Sequence, residues 1–247
     1  MRLQRYVSDE LAHFVGRRHL GHQEAQYDLL LKILTDGQLH PGGAEEYAGL
    51  EMWSAIGQSH LCDEDMFFPP VVCFCDIPPD DLGIHMAKYG QFGLAFTKEW
   101  LVARGANPVF YVAAGASPVA VGEGEAPVPR ADHFNKSITA LFEALYEFDD
   151  DPHAEAGSDD APCVQLHDRV HHLAHFFLTY HVFSFMKCFD PALPENDERG
   201  FYMEREWRVL GSVEFDLDDV TRVVLPPAYA RRFRSDMPHY AGQLSFA

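Results

Sequence analysis

The residues best suited to chemistry lie in the segment 202–211, which has the sequence YMEREWRVLG. If this segment is a β-strand, its side chains alternate between two faces, so Glu204, Glu206 and Arg208 share one face. Two carboxylates and a guanidinium in a row have two interpretations. The first is an ion-paired strand edge, with Trp207 packed inward and arginines neutralising the glutamates. The second is a catalytic Glu-x-Glu pair at the mouth of a cleft.

Three further polar side chains are candidates to lie near this glutamate pair. His13 lies on a predicted strand, whereas His85 and Tyr89 are spaced i, i+4, which places both on one face of a predicted helix. Strand ends and the helices that follow them are the usual place for a cleft in a mixed fold. A carboxylate there can stabilise an oxocarbenium-like centre and hold a sugar hydroxyl. Taken singly, His13 is better explained as a structural histidine and Tyr89 as a core tyrosine.

A histidine-rich segment, residues 164–189, is a second candidate for chemistry. His167, His171 and His175 recur every four residues and would lie along one face of a helix. Two imidazoles four apart can chelate zinc, but metalloprotease helices carry a glutamate between them that this chain lacks. We therefore expect no metal ion and interpret these histidines as a partly buried, acid-sensitive helix face. A metal-dependent hydrolase is the weaker alternative.

The five cysteines indicate a reducing compartment. Their number is odd, and Cys73 and Cys75 lie within an apolar run rather than in a disulfide framework. Both are interpreted as small core residues. The alternative for Cys75 is a nucleophile paired with His85.

Charge and hydropathy exclude several classes of function. The 247 residues include 19 basic and 38 acidic side chains, for a net charge of −19. Such a field repels phosphate backbones, so we expect no non-specific nucleic-acid binding. We see no signal-peptide core and no run of about 20 apolar residues that could span a bilayer, and therefore expect a cytoplasmic protein without membrane attachment.

Local patterns predict the elements that would position these residues. A strand at 11–16 ends in a glycine turn, a helix follows at 24–34, and the apolar run 71–75 is a buried strand. Asp80 is expected to cap a helix over 81–89. The remaining predicted elements are strands at 90–96, 108–112, 213–217 and 220–225 and helices at 98–104, 134–148, 164–189 and 228–233.

Because strands and helices do not alternate regularly, the order predicts an α+β fold with a mixed or antiparallel twisted sheet. We expect a single domain over residues 1–247, with two longer helices inserted between 134 and 189 and a mobile acidic linker at about 149–160. The chain has no phosphate loop and no Gly-x-Ser-x-Gly elbow, which disfavours P-loop nucleotide hydrolysis and serine-hydrolase chemistry.

Four strings of residues, taken in order, resemble the AbiGi family of bacterial abortive phage-infection proteins. They are VCFCDIP at 72–78, DLGIHMAKYGQFGLAF at 81–96, GANPVFYV at 105–112 and EREWR at 204–208. The resemblance covers about residues 11–240. It implies a role in anti-phage defence, in a family whose members are commonly described as the antitoxin half of a two-gene system.

A more distant resemblance is to the ADP-ribosyltransferase fold, a split mixed sheet that binds NAD. By order and type, it implies that His13, Tyr89 and His85 hold the dinucleotide, that Glu206 stabilises the ribosyl cation, and that Glu204 positions the acceptor. This sequence departs from the family pattern in two places. His13 is followed by Phe14 rather than Gly-Thr, and no Ser-Thr-Ser occurs near residues 73–76.

Two functional hypotheses follow from these resemblances and from the charge. One is a defence enzyme that uses NAD as a mono-ADP-ribosyltransferase or NAD glycohydrolase. The other is a non-enzymatic antitoxin or regulator whose acidic surface binds a basic protein, such as a cognate toxin or defence protein encoded nearby.

Overall fold

A computed structural model describes residues 8–42, 53–54, 67–78, 81–113, 118–119, 128–129, 137, 140, 169–170, 172–174, 176–194, 197 and 200–246. The chain divides into two compact units. The first comprises residues 1–50, 70–109 and 194–247, and the second comprises 51–69 and 110–193. The expectation of a single domain stays a prediction, and the expected linker at 149–160 lies outside the described residues.

The elements of the described residues have the following bounds. The strands are β1 (Glu10–Val15), β2 (Gln38–Leu39), β3 (Trp53–Ser54), β4 (Phe67–Phe68), β5 (Val71–Cys75), β6 (Phe92–Thr97), β7 (Asn107–Pro108), β8 (Phe110–Ala113), β9 (Pro118–Val119), β10 (Val128–Pro129), β11 (Met186–Phe189), β12 (Glu206–Leu210), β13 (Val213–Glu214), β14 (Arg222–Leu225) and β15 (Gln243–Phe246). The α-helices of the first unit are α1 (Gln23–Asp36), α2 (Gly83–Tyr89), α3 (Lys98–Val102) and α4 (Ala230–Asp236).

A seven-stranded sheet organises the first unit, in the order β15-β14-β6-β1-β5-β12-β7. Every neighbouring pair is antiparallel except β14 and β15, which run parallel. This mixed sheet with helices confirms the predicted α+β class. The expected likeness to a split ADP-ribosyltransferase sheet stays a prediction.

The two faces of this sheet bury different amounts of apolar surface. One face carries the larger core, in which strand residues such as Leu11 and Phe96 pack against Tyr27 and Leu30 of α1. The opposite face carries a smaller cluster of Ala12, Phe14, Cys75, Leu82, Ala95 and Val224, against which Met86 and Tyr89 of α2 pack. We call this second side the α2 face.

Glycine turns set the path of the chain at both ends of α1, as the sequence predicted. Gly16 ends β1 with φ of 90° and Gly37 ends α1 with φ of 66°, both in the left-handed region that favours glycine. A Cβ on Gly16 would lie 2.5 Å from Cγ of Gln26. The strand-turn-helix unit is confirmed, although α1 begins one residue before the predicted start and ends two residues after the predicted end.

The segment 202–211 is not one continuous strand, and this part of the sequence prediction was wrong. Residues Phe201–Glu204 form a 3-10 turn, Arg205 adopts φ of 46°, and β12 begins only at Glu206. The left-handed conformation of Arg205 breaks the alternation of side chains between the two faces. The carbonyl of Arg205 accepts a hydrogen bond from the Asp76 N–H at 3.2 Å. Glu204 therefore does not share a strand face with Glu206.

The second unit contains a strand that the sequence analysis assigned to a helix. Described residues at 169–177 are helical, and a π-helical segment at Leu178–Val182 and a 3-10 helix at Phe183–Phe185 follow, but the last part of the helix expected over 164–189 is the strand β11. Met186 to Phe189 pair in parallel with β8. A short apolar run is compatible with a strand and with a buried helix, so its pairing with β8 determines that it is a strand. Of the helix expected at 134–148, residues 137 and 140 are described, and both are helical.

Two smaller differences concern other strands. The strand predicted at 108–112 is interrupted at Val109, so that β7 joins β12 and β8 joins β11. The outermost strand, β15, was not predicted. Among the described residues, no helix has the length and apolar character required to cross a membrane.

Candidate functional site

Three buried carboxylates lie where β5 ends and β12 begins. Asp76 follows the last residue of β5, Glu206 opens β12, and Glu204 precedes it by two residues. The two strands are antiparallel and Glu206 pairs with Cys75, which brings these ends together. Asp76, Glu204 and Glu206 are 4%, 6% and 5% exposed. We call these three residues the carboxylate cluster, and charges buried to this extent require partners.

Helix α2 supplies the partners of Glu204. Its Oε1 accepts hydrogen bonds from Lys88 Nζ and from the Tyr89 hydroxyl, each at 2.5 Å. Lys88 Nζ also lies 4.1 Å from the centre of the Phe201 ring, within range of a cation–π interaction. The side chains of Lys88 and Glu204 are 13% and 8% exposed. The structure thus brings together two of the predicted site residues, Tyr89 and Glu204.

Glu206 is paired with Arg208 of the same strand. Arg208 Nε donates to Glu206 Oε1 at 2.7 Å, and both side chains are almost completely buried. Because the two residues are two apart on β12, their side chains lie on one face, as predicted. Their register partners on β5 are Cys75 and Cys73, and Cys75 belongs to the α2 face.

Asp76 forms ion pairs with two cations, Lys98 and Arg205. Its Oδ2 accepts from Lys98 Nζ at 2.8 Å and from an Arg205 guanidinium nitrogen at 3.3 Å, whereas Oδ1 accepts from the Ser8 N–H at 3.2 Å. Lys98 is the first residue of α3. Arg205 was expected to neutralise a glutamate, and the structure places it in an ion pair with Asp76.

The thiol of Cys75 does not fit a nucleophile. Burial raises its pKa to about 12, and the charge of Glu204 acts in the same direction. A thiol with such a pKa stays protonated at neutral pH. Its proposed partner His85 stacks on other rings, 4.5 Å from the centre of Tyr89 and 5.2 Å from Phe14. The interpretation of Cys75 as a small core residue agrees with its place in the apolar cluster.

Sequence reasoning missed Asp76, Lys88 and Lys98 as members of the site. Asp76 directly follows a buried strand and Lys88 directly precedes Tyr89, so local signals were available. Their pairing was not, because Lys88 lies 116 positions from Glu204. Arg17 was also missed, and its guanidinium carbon lies 5.3 Å from the centre of the Tyr89 ring.

The chemistry of the cluster follows from these pairs. A carboxylate that stabilises an oxocarbenium ion acts on positive charge that develops in the substrate. In the carboxylate cluster, positive charge is already supplied from within the unit, by Lys88, Arg208 and Lys98. The arrangement fits ion pairs that join α2 and α3 to the strand ends more closely than it fits an acid–base pair.

Comparison with known proteins gives one match. Residues 65–226 match the family model of AbiGi, described as an abortive phage resistance protein and antitoxin. The chain belongs to the AbiGi family. No curated protein and no solved structure matches it, so the resemblance to ADP-ribosyltransferases stays a prediction.

Membership in AbiGi indicates a role in abortive phage resistance, and a family described as antitoxin implies a cognate toxin as partner. The matched range contains the whole carboxylate cluster together with Lys88 and Tyr89. His13 lies outside it.

His13 points away from the carboxylate cluster of this AbiGi protein. It alternates with Ala12 on β1, its ring lies 5.8 Å from that of Phe74 in the larger core, and its Nδ1–H donates to the Cys73 carbonyl at 2.7 Å. The structure therefore places His13 and Glu206 on opposite faces of the sheet. A shared dinucleotide site for these two residues stays a prediction that this geometry does not favour.

We expect His13 to contribute to acid sensitivity. Burial lowers its pKa below the ordinary 6.5, partly offset by the hydrogen bond to Cys73. As the pH falls through about 6.5, the unfolded chain binds a proton that the native imidazole does not, so the free energy of unfolding decreases. Urea unfolding between pH 7.5 and 5 measures this slope, which should be shallower in His13→Asn. The exposed His22→Asn is the matched control, and an equal slope in all three proteins would contradict the expectation.

The three histidines considered as metal ligands lie outside the described residues of the chain. His167, His171 and His175 are not described, and among the described residues no group of three metal-ligating side chains converges.

A groove of about 830 Å³ lies between the start of α1 and α2, and the residues that line it include His22, Met86, Gln91 and Tyr229. It does not include the carboxylate cluster.

Proposed function

We propose that this AbiGi protein is an antitoxin that binds and masks a basic toxin, with no catalytic step of its own. The observation that carries the proposal is the internal pairing of the carboxylate cluster. Glu204 is buried against Lys88 of α2 and Glu206 against Arg208 of its own strand, so the residues best suited to catalysis are paired with cations within the fold. The family description as antitoxin supports the same function.

The charge of the chain suits such a partner. A net charge of −19 attracts a basic protein at long range and raises the rate of encounter. One exposed concentration of acid surrounds the 3-10 turn Leu217–Asp219, which Asp216 and Asp219 cap reciprocally. Glu214, Asp216 and Asp218 are exposed there. We call residues 214–219 the acidic turn.

Co-expression with the product of the adjacent gene tests the proposal. We expect wild-type protein to relieve growth arrest caused by that product and to co-purify with it at low ionic strength. Because the attraction is electrostatic, raising the salt from 50 to 500 mM should weaken binding by about tenfold or more. Failure to co-purify at low salt, or relief of arrest without any complex, would contradict the antitoxin function.

A second candidate is an NAD-using effector, and the observation that favours it is the contact between Tyr89 and Glu204. These are two of the residues that the ADP-ribosyltransferase resemblance assigned to one site. The test is nicotinamide release from NAD by wild type and by Glu206→Gln. Release by wild type that the variant has lost would favour the enzyme, whereas no release by either would remove it.

A further inference from the structure

Strand β15 forms an outer edge of the seven-stranded sheet. It pairs in parallel with β14, and among the described residues no strand pairs with its other side. On the α2 face it is anchored by Arg222, which donates to Ser245 Oγ at 2.6 Å and to Glu10 Oε2 at 2.7 Å. Tyr240 adds a hydrogen bond from its hydroxyl to the Gln243 carbonyl at 3.1 Å. These contacts hold β15 in an extended conformation in the absence of a bound partner.

The backbone of β15 presents donors and acceptors outward. Gln243 N–H binds the Thr221 carbonyl at 2.9 Å, so the peptide groups of Gln243 point toward β14. Backbone groups alternate along a strand, and Ser245 therefore also points inward, whereas the N–H and C=O of Leu244 and Phe246 point to the open side. An added strand would bond to these two residues.

This edge lacks the features that usually protect a sheet from further pairing. Natural edges carry lysines, prolines or bulges that block an incoming strand. The sequence of β15 is Gln-Leu-Ser-Phe, with no charge and no proline. Phe246 is 58% exposed, which offers an apolar contact beside the free backbone groups.

We propose that the open edge of β15 binds an extended, basic segment of the toxin as an added β-strand, a surface that rests on the antitoxin function proposed above. Strand addition takes its affinity from backbone hydrogen bonds and its specificity from alternate side chains. The acidic turn ends two residues before Thr221, to which Gln243 is bonded, so the chain runs from these carboxylates to the start of the edge. They would attract lysine or arginine next to the added strand.

Charge also decides against a second copy of this chain as the occupant. Antiparallel pairing of two β15 edges would bring two chains of net charge −19 together, and like charges oppose association. A basic segment of another protein gains from the same field.

The matched variants Phe246→Pro and Phe246→Ala test the edge. Both remove the ring, but only proline removes the outward N–H, and neither touches the bonds to β14. Loss of one interfacial hydrogen bond and obstruction by the proline ring should make the complex of Phe246→Pro with the adjacent-gene product about tenfold weaker or more than that of Phe246→Ala. Thermal unfolding of each free variant should equal that of wild type.

Amide hydrogen exchange of the wild-type protein gives a measurement without substitutions. In the free protein, Leu244 and Phe246 should exchange faster than Gln243 and Ser245, and binding should slow the exchange of the first two specifically. Equal binding by the two Phe246 variants with no change in exchange would overturn the edge proposal and leave the antitoxin function standing. Absence of any wild-type complex would overturn both. A dimer of the free protein that Phe246→Pro dissociates would assign the edge to a second copy instead.

Discussion

Replacing Lys88 with methionine is expected to lower the free energy of unfolding by about 3–5 kcal/mol, because it removes a cation that is paired with the buried Glu204 carboxylate. The side chain of Glu204 is 8% exposed, and its Oε1 also accepts a hydrogen bond from the Tyr89 hydroxyl. Methionine keeps most of the apolar stem of lysine, so the loss reports the charge rather than the volume. Urea denaturation at pH 7 measures it.

A control for Lys88→Met is available on α1. Lys32 and Asp36 form an ion pair whose side chains are 71% and 48% exposed, and Lys32→Met should cost about 0–1 kcal/mol. The double variant Lys88→Met/Glu204→Gln should recover most of the lost stability, since both charges of this ion pair are then removed together. If Lys88→Met proved as mild as Lys32→Met, Glu204 would not depend on this lysine.

The second large effect is expected at the pair of Glu206 and Arg208. Arg208→Met should lower the free energy of unfolding by about 3–5 kcal/mol, because it removes a cation that is paired with the buried Glu206 carboxylate. Its side chain is 6% exposed and the bond it loses is 2.7 Å long. Glu206→Gln should also destabilise the protein, and the double variant Glu206→Gln/Arg208→Met should be more stable than Arg208→Met alone.

This same pair separates the two candidate functions. For an antitoxin, the double variant should keep its fold and bind the adjacent-gene product within about threefold of wild type, since both side chains are almost completely buried and offer a partner little surface. For an NAD-using enzyme, Glu206→Gln should abolish nicotinamide release at a temperature where the variant is folded. If the double variant bound the adjacent-gene product normally and Glu206→Gln released nicotinamide as fast as wild type, two statements would be contradicted. The protein would then be catalytic, and Glu206 would not be its catalytic residue.

Local sequence signals predicted those elements whose formation depends on neighbouring residues. The strand before Gly16, the helix that ends at Gly37 and the apolar run of β5 were all predicted, since left-handed glycines and apolar periodicity act within a few residues. The common helix face of His85 and Tyr89 was predicted for the same reason, and their rings lie 4.5 Å apart.

Errors arose where a distant segment determined the backbone. The pattern of segment 202–211 predicts one strand. In the structure Arg205 is left-handed, and it contacts Asp76, 129 positions away. The run Met186–Phe189 reads as helix, but it pairs with β8. A strand that needs a partner from elsewhere in the chain is not specified by its own residues.

The sequence by itself determined the α+β class, the family, the acidic character and the presence of a Glu-x-Glu pair. Only the tertiary structure decided what surrounds those glutamates. It separates Glu204 from Glu206 at Arg205, pairs Glu204 with Lys88, and turns His13 to the other face of the sheet. The physical reason is that the pairing of buried charges depends on positions in space, and residues more than a hundred positions apart leave no local pattern from which to predict their contact.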